Sequence, residues 1–428
     1  MKFQRAATQF VASAGLLAGT AIAACSSTDT PPAQVPPAPV GGNSTTGGTG
    51  GTSASGAAPG GTSSSGAGGA GACVGNQTLV NGVCMCPGYA PQLCTTSMKC
   101  TSPMKDPDNC GACDMKCAAT SACSAGACTT PPTELADLMT GCGSINLQTD
   151  AAATKLYALS TMTGNLDSIA LPAGGAPTSI VKSLVMAGAF TVDATNAYIV
   201  TGSSISRVPL AGGAATVMVT ETAPIFDVFV AGTSLYYATG TGKAVKVVAT
   251  TATAGVPAAT VAATGESDGE AEGVAFAAGT VLFASGVAQN VEAYPITEGM
   301  PFDPLKLAKL GASQGGLMVG HRSVQTDGTN AYWVDGSTIK RAPFAGENHD
   351  QKGVATTEKG LVTAFAFNAT NAYFASAMGD LEKSALLSTE PANNVWMARA
   401  LGTVKSIVVD ATSVYLSTDK CKILKAAL

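Results

Sequence analysis

Along the C-terminal two-thirds of the chain, apolar and polar positions alternate in short runs, and the runs return in the same order. The clearest copy is SVQTDGTNAYWVDGSTIKRAPFAG, from Ser323 to Gly346. One apolar strand ends at Asp327-Gly328-Thr329-Asn330, a second starts at Ala331-Tyr332-Trp333, and a third, Thr338 to Pro343, follows Asp335-Gly336-Ser337. Alternation with a period of two predicts half-buried strands, and the Asx/Gly clusters predict the turns between them. Aligning on the aromatic of the second strand brings Tyr157, Tyr198, Tyr236, Phe283, Tyr332, Tyr373 and Tyr415 into register, 38 to 49 residues apart. Three positions before each stands a threonine: Thr154, Thr195, Thr233, Thr280, Thr329, Thr370 and Thr412. Five positions before four of them stands Asp or Asn (Asp193, Asp327, Asn368, Asp410), whose short polar side chain can close a turn onto its own backbone.

Each unit reads as four strands. A buried apolar strand such as Val228-Phe229-Val230 leads, the Asx/Thr turn follows, and then comes an aromatic-led strand such as Ala197-Tyr198-Ile199-Val200. A Gly/Ser turn introduces the third strand, and Ala211-Gly212-Gly213 in its unit introduces the fourth. Four strands repeated every forty-odd residues, without helical periodicity, predict an all-β chain folded as a β-propeller. Tyr332-Trp333-Val334-Asp335 with Ile339-Lys340-Arg341 resembles the YWTD propeller repeat, and Tyr198-Ile199-Val200-Thr201 resembles the YVTN repeat of microbial surface proteins. YWTD propellers have six blades; the seven anchors here predict seven, with six as the alternative. The last unit stops after its third strand, so residues within 133–141 are expected to supply the missing one and spare the ring an open edge. A disulfide between Cys142 and Cys421, at the two ends of the array, would tie the circle shut.

Composition adds a compartment. The net charge of −5 becomes −7 if a leader carrying Lys2 and Arg5 is removed, and with no basic run the chain is a poor partner for nucleic acid. Thirteen cysteines imply an oxidising environment. Lys2 and Arg5 precede a mainly apolar run from Phe10 to Ala24, too short to span a bilayer and suited to a signal peptide over 1–24. The run ends in Ile22-Ala23-Ala24-Cys25, which resembles the lipobox of bacterial lipoproteins. The resemblance implies lipidation of Cys25 and cleavage before it, so the membrane partner is reached through an N-terminal lipid. Ser26 in place of Asp then favours the outer membrane and the cell surface. Setting Cys25 aside leaves twelve cysteines, an even number that can all pair. Residues 26–72 carry one charge, Asp29, among Gly, Ser, Thr, Ala and Pro, a composition that cannot bury a core. They are expected to form a disordered tether with a root-mean-square span of roughly 35–40 Å.

Ten cysteines then fall between Cys73 and Cys128, a density that predicts a disulfide framework in place of a core. Cys84-Met85-Cys86-Pro87-Gly88-Tyr89 is similar to the end of an EGF-like unit. Asp108-Asn109-Cys110-Gly111-Ala112-Cys113 with Cys117, Cys123 and Cys128 resembles the stigma-specific protein repeat, and so implies a secreted cystine module. Cys110 and Cys113 also have zinc-ligand spacing, but no histidine and no second pair at finger spacing accompanies them. Spacing does not give connectivity.

Chemistry-bearing residues are sparse. The array of 133–428 shows no metalloprotease motif, P-loop or nucleophile elbow. Within the acidic run from Glu266 to Glu272, Asp268, Glu270 and Glu272 are candidate calcium ligands, set against the simpler reading of a solvated loop. Asp227, His321, Arg322 and Lys405 precede the first strands of their units, where propeller residues tend to lie near the channel mouth. No cofactor is required by this set. The expectation is a monomeric, lipid-anchored surface protein whose propeller is a binding or scaffolding module for a protein or glycan, not an enzyme. The alternatives are a propeller lyase, lactonase or hydrolase, and a structural envelope protein.

Overall fold

A computed structural model describes Cys73 and residues 76–80, 83–139, 141–240, 244–263, 271–285, 289–296, 308–312, 317–318, 321–344, 351–386 and 394–428. The expected leader over 1–24, Cys25 and the expected tether over 26–72 lie outside the described residues, as do Asp268 and Glu270. Among the described residues every regular element is a strand.

Seven four-stranded antiparallel sheets follow one another along the chain. Their innermost strands are Ile145–Thr149, Ala187–Val192, Ile225–Ala231, Gly273–Ala277, Val324–Thr326, Val362–Phe367 and Val404–Val409, numbered here as blades 1 to 7. Each sheet is a simple meander outward from these strands, except in blade 7. There the outermost strand is Thr133–Asp137, paired antiparallel with Lys422–Ala427. The expected closing strand is therefore present, and the chain is a seven-bladed propeller. Cys142 and Cys421 are joined at the same seam, 279 residues apart in sequence.

The cores lie between blades. Seven hydrophobic clusters occupy the seven interfaces; Tyr198, Ile205 and Leu235 sit between blades 2 and 3, and Leu147, Ile169, Tyr415 and Ile423 between blades 7 and 1. Alternating side chains of each strand enter the interface on either face, so a single sheet cannot bury its apolar residues alone.

The repeated Asx, Thr and Tyr positions form one hydrogen-bonded unit. Asp327 Oδ1 accepts bonds from the Thr329 and Asn330 N–H groups and from the Thr329 hydroxyl, while its Oδ2 accepts the Tyr332 hydroxyl at 2.7 Å. Asp193 with Tyr198 and Asp410 with Tyr415 repeat the arrangement. In blade 6, Asn368 Oδ1 holds the turn and its Nδ2 donates to the Tyr373 hydroxyl. Burial and the adjacent carboxylate push the pKa values of the Tyr198, Tyr332 and Tyr415 hydroxyls up to about 12. Blades 3 and 4 lack the acid, and there Gly232 and Gly279 take positive φ of 58° and 74° to make the hairpin turn.

The cystine module holds five disulfides, 73–84, 86–100, 94–113, 110–123 and 117–128. Cys110 and Cys113 are thus in separate bridges. The module is docked on blade 6: the Arg399 N–H donates to the Thr120 carbonyl at 3.2 Å, and Ser121 forms a β-bridge with Ala398.

Two outcomes follow. Replacing Cys421 by Ser should destabilise the folded chain by about 2–4 kcal/mol, because the bridge closes so long a loop; calorimetry should show melting lowered by several degrees. Burial alone would raise the Asp327 pKa, but its hydrogen bonds outweigh that and hold it down to about 2. Because this folded-state value lies below the unfolded one, its contribution is complete above about pH 4 and is lost as pH falls toward 2. Asp327→Asn, which copies blade 6, should keep the turn and flatten the urea midpoint across that window. Asp327→Ala should cost about 1 kcal/mol at neutral pH.

Candidate functional site: the central channel

The channel takes its lining from irregularities at the start of the innermost strands. In blades 2, 3, 6 and 7 the pairing of the first strand with the second slips between Ala187 and Phe190, Ile225 and Asp227, Val362 and Ala364, and Val404 and Ser406. A bulge re-aims the residue it inserts. The inserted residues, among them Gly188, Phe226, Thr363 and Lys405, all line one cavity of about 360 Å³ at the channel entrance. Asp227 and Lys405 therefore stand at bulges inside the innermost strands, not before them as the sequence reading has it.

Asp227 is the buried organiser. Its Oδ1 accepts the Val228 N–H at 2.9 Å and lies 2.8 Å from His321 Nδ1; its Oδ2 accepts the Val274 N–H of blade 4 at 3.0 Å. One carboxylate thus ties blade 3 to blade 4 and fixes the imidazole carried ahead of blade 5. The His321 ring packs tilted against Phe190 with centroids 5.9 Å apart. Its Nε2 is buried and has no hydrogen-bond partner among the described residues.

Arg322 crosses the channel. Its guanidinium donates to the Leu147 carbonyl of blade 1 at 3.3 Å, from a backbone held at φ 59°. A non-glycine residue in that region is uncommon and costs conformational energy, which the surrounding ring must impose. Burial pulls the Arg322 pKa below its ordinary value while the Asp227 charge acts in the opposite sense. An arginine keeps its proton under such a pull.

His321 and Arg322 belong to two cavities at once. The entrance cavity adds Lys405, Ser144, Asn146, Thr161 and Ser406 and has no carboxylate in its lining. The second, about 350 Å³, holds Asp227, Gln148 and Gln325 among Phe190, Phe229, Phe276 and Phe367. The four channel-mouth candidates, Asp227, His321, Arg322 and Lys405, thus come together on these two spaces. Neutral donors around them are committed to the ring: Asn146 Nδ2 to the Gly188 carbonyl, Gln325 Nε2 to the Phe365 carbonyl. The phenylalanine lining and the bulges were not singled out from sequence. Of the calcium candidates only Glu272 is described; it is half-buried, its N–H is bonded to the Ala284 carbonyl, and it lines neither cavity. Cys110, Cys117 and Cys128 approach one another, but as members of two adjacent disulfides and not as free thiols.

No protein-family model and no curated protein matches the sequence. Solved structures do match in shape. Virginiamycin B lyase from Staphylococcus aureus, in a catalytically inactive form with quinupristin, superposes with a TM-score of 0.53 at 12% identity, covering 69% of this chain and 99% of that one. A streptogramin B lyase gives 0.52 at 12% identity, over 69% and 96%. The β-propeller domain of Cps50 (Swd1) from Myceliophteria thermophila gives 0.54 at 9% identity, over 70% and 100%. At such identities the likeness is one of fold alone: this chain has the propeller architecture that these proteins use for unlike ends.

Proposed function

We propose that the propeller is a binding module whose channel takes the acidic group of an extracellular glycan, displayed at the cell surface by a lipid on Cys25. One observation carries the ligand class: in a chain of net charge −5, the entrance cavity gathers Arg322, Lys405 and His321 without a carboxylate in its lining. A low-dielectric cleft of one sign concentrates ligands of the other. Arginine offers a planar fork that matches a carboxylate, and lysine a point charge beside it. The cavity is concave and of small-ligand size, whereas a stable protein interface needs roughly 800 Å² on each partner. A uronic acid residue meets both requirements.

A second reading, the propeller enzyme, is favoured by the Asp227–His321 pair, since a carboxylate that orients an imidazole leaves Nε2 free to take a proton.

Titration calorimetry of the full chain with an oligogalacturonate tests the binding site. Binding should weaken as salt rises, and Lys405→Ala should weaken it about tenfold, the loss of one charge-assisted hydrogen bond. Absence of binding at low salt, or a Lys405→Ala chain that binds as tightly, would contradict it. Shortening of the oligosaccharide during the titration would select the enzyme. The anchor is tested separately: the intact chain should label with palmitate and partition into detergent, and Cys25→Ala should do neither.

A further inference from the structure

A second cleft, of about 460 Å³, lies where the cystine module meets blade 6. The Arg399 N–H to Thr120 carbonyl bond and the Ser121–Ala398 bridge join its two walls. Tyr89 of the module is 78% exposed, an open aromatic face at the rim. Trp396 of the propeller also lines the cleft, with the Lys359 ammonium 5.2 Å from its ring centroid. In the same lining the Arg399 guanidinium stands 3.8 Å from the Asp108 carboxylate, and Arg399 Nε is buried without a hydrogen-bond partner among the described residues. Burial pushes the Asp380 carboxyl up, against the pull of Lys359 and Arg399.

The charge of this lining differs from that of the channel. Lys105, Lys359 and Arg399 are matched by Asp106, Asp108 and Asp380, so an ion of either sign meets as much repulsion as attraction. What the cleft offers is aromatic surface together with donors and acceptors in equal supply. Such a lining fits a neutral molecule that has an apolar C–H face and a rim of hydroxyl groups, each able to donate and accept. We infer that the cleft lined by Tyr89 and Trp396 is a second binding site, for a neutral saccharide. It is independent of the reading given to the channel.

The protein reports on the site itself. Of its two tryptophans, Trp333 is fully buried between blades 4 and 5, while Trp396 lines the cleft. Titrating the full chain with neutral cello-, malto-, manno- and chito-hexaoses should give, for at least one, a saturable change in tryptophan emission with a dissociation constant in the millimolar range or tighter. Tyr89→Ala, a change at an exposed position, should weaken that binding about tenfold, the loss of one stacking face. Trp396→Phe should abolish the emission change while calorimetry still detects binding. Lys405→Ala should leave the saccharide titration as it is, which separates this site from the channel. The inference is overturned if no hexaose gives a saturable change, if Tyr89→Ala binds like the unaltered chain, or if only an acidic oligosaccharide produces the signal.

Discussion

Every core in the propeller is shared by two blades, and the interface between blades 7 and 1 is the one that chain connectivity does not supply. There Ile145, Leu147, Leu156, Ile169 and Ile423 are completely buried, each contributing roughly 1.5–3 kcal/mol. That burial exceeds what a covalent link adds, so the disulfide at Cys142 and Cys421 secures a seam that packing already favours. Hydrogen bonds follow the packing: the Ser417 hydroxyl donates to the Ile145 carbonyl, and the Ser406 hydroxyl accepts the Leu147 N–H. The outer strand from Thr133–Asp137 covers the edge that blade 7 would otherwise expose.

The channel is a consequence of that closure. Arg322 reaches the Leu147 carbonyl only because blade 1 is held opposite blade 5, and Lys405 of blade 7 shares its cavity only in a complete ring. Asp227 adds a local constraint, since it joins two neighbouring blades and the residue ahead of a third. In the entrance cavity Arg322 is thus held by the fold, while Lys405, placed by its bulge, is exposed at the cavity's edge. The cleft beside the cystine module is built differently, with balanced charge and two aromatic rings. The channel and the cleft are therefore recessed surfaces of unlike chemistry.

Much of the architecture is legible in the residues. The Thr at a fixed offset from each aromatic marks the turn, and the closing strand and seam cysteines follow from a last unit cut short. The function of the Asp–Tyr offset is not legible, because a bond between side chains five apart depends on the hairpin that brings them together; only the repetition shows. Bulges leave no mark in the sequence either, since slippage of register is a property of a pair of strands. Phe226 therefore reads as an ordinary strand residue, and Lys405 reads as a residue ahead of its strand and not as the insertion within it. Asp227 and His321 are 94 positions apart and Tyr89 and Trp396 lie in different parts of the chain, so their juxtaposition comes from tertiary packing alone.

Ring closure creates a cationic cavity from blades that are distant in sequence. Crystals of the full chain soaked in bromide test it most directly, because anomalous scattering locates the anion without assumptions about a natural ligand. A bromide peak between Arg322 and Lys405 in the entrance cavity is expected. Bromide on outer surfaces with none in the channel, or Arg322 turned away from the Leu147 carbonyl, would contradict it.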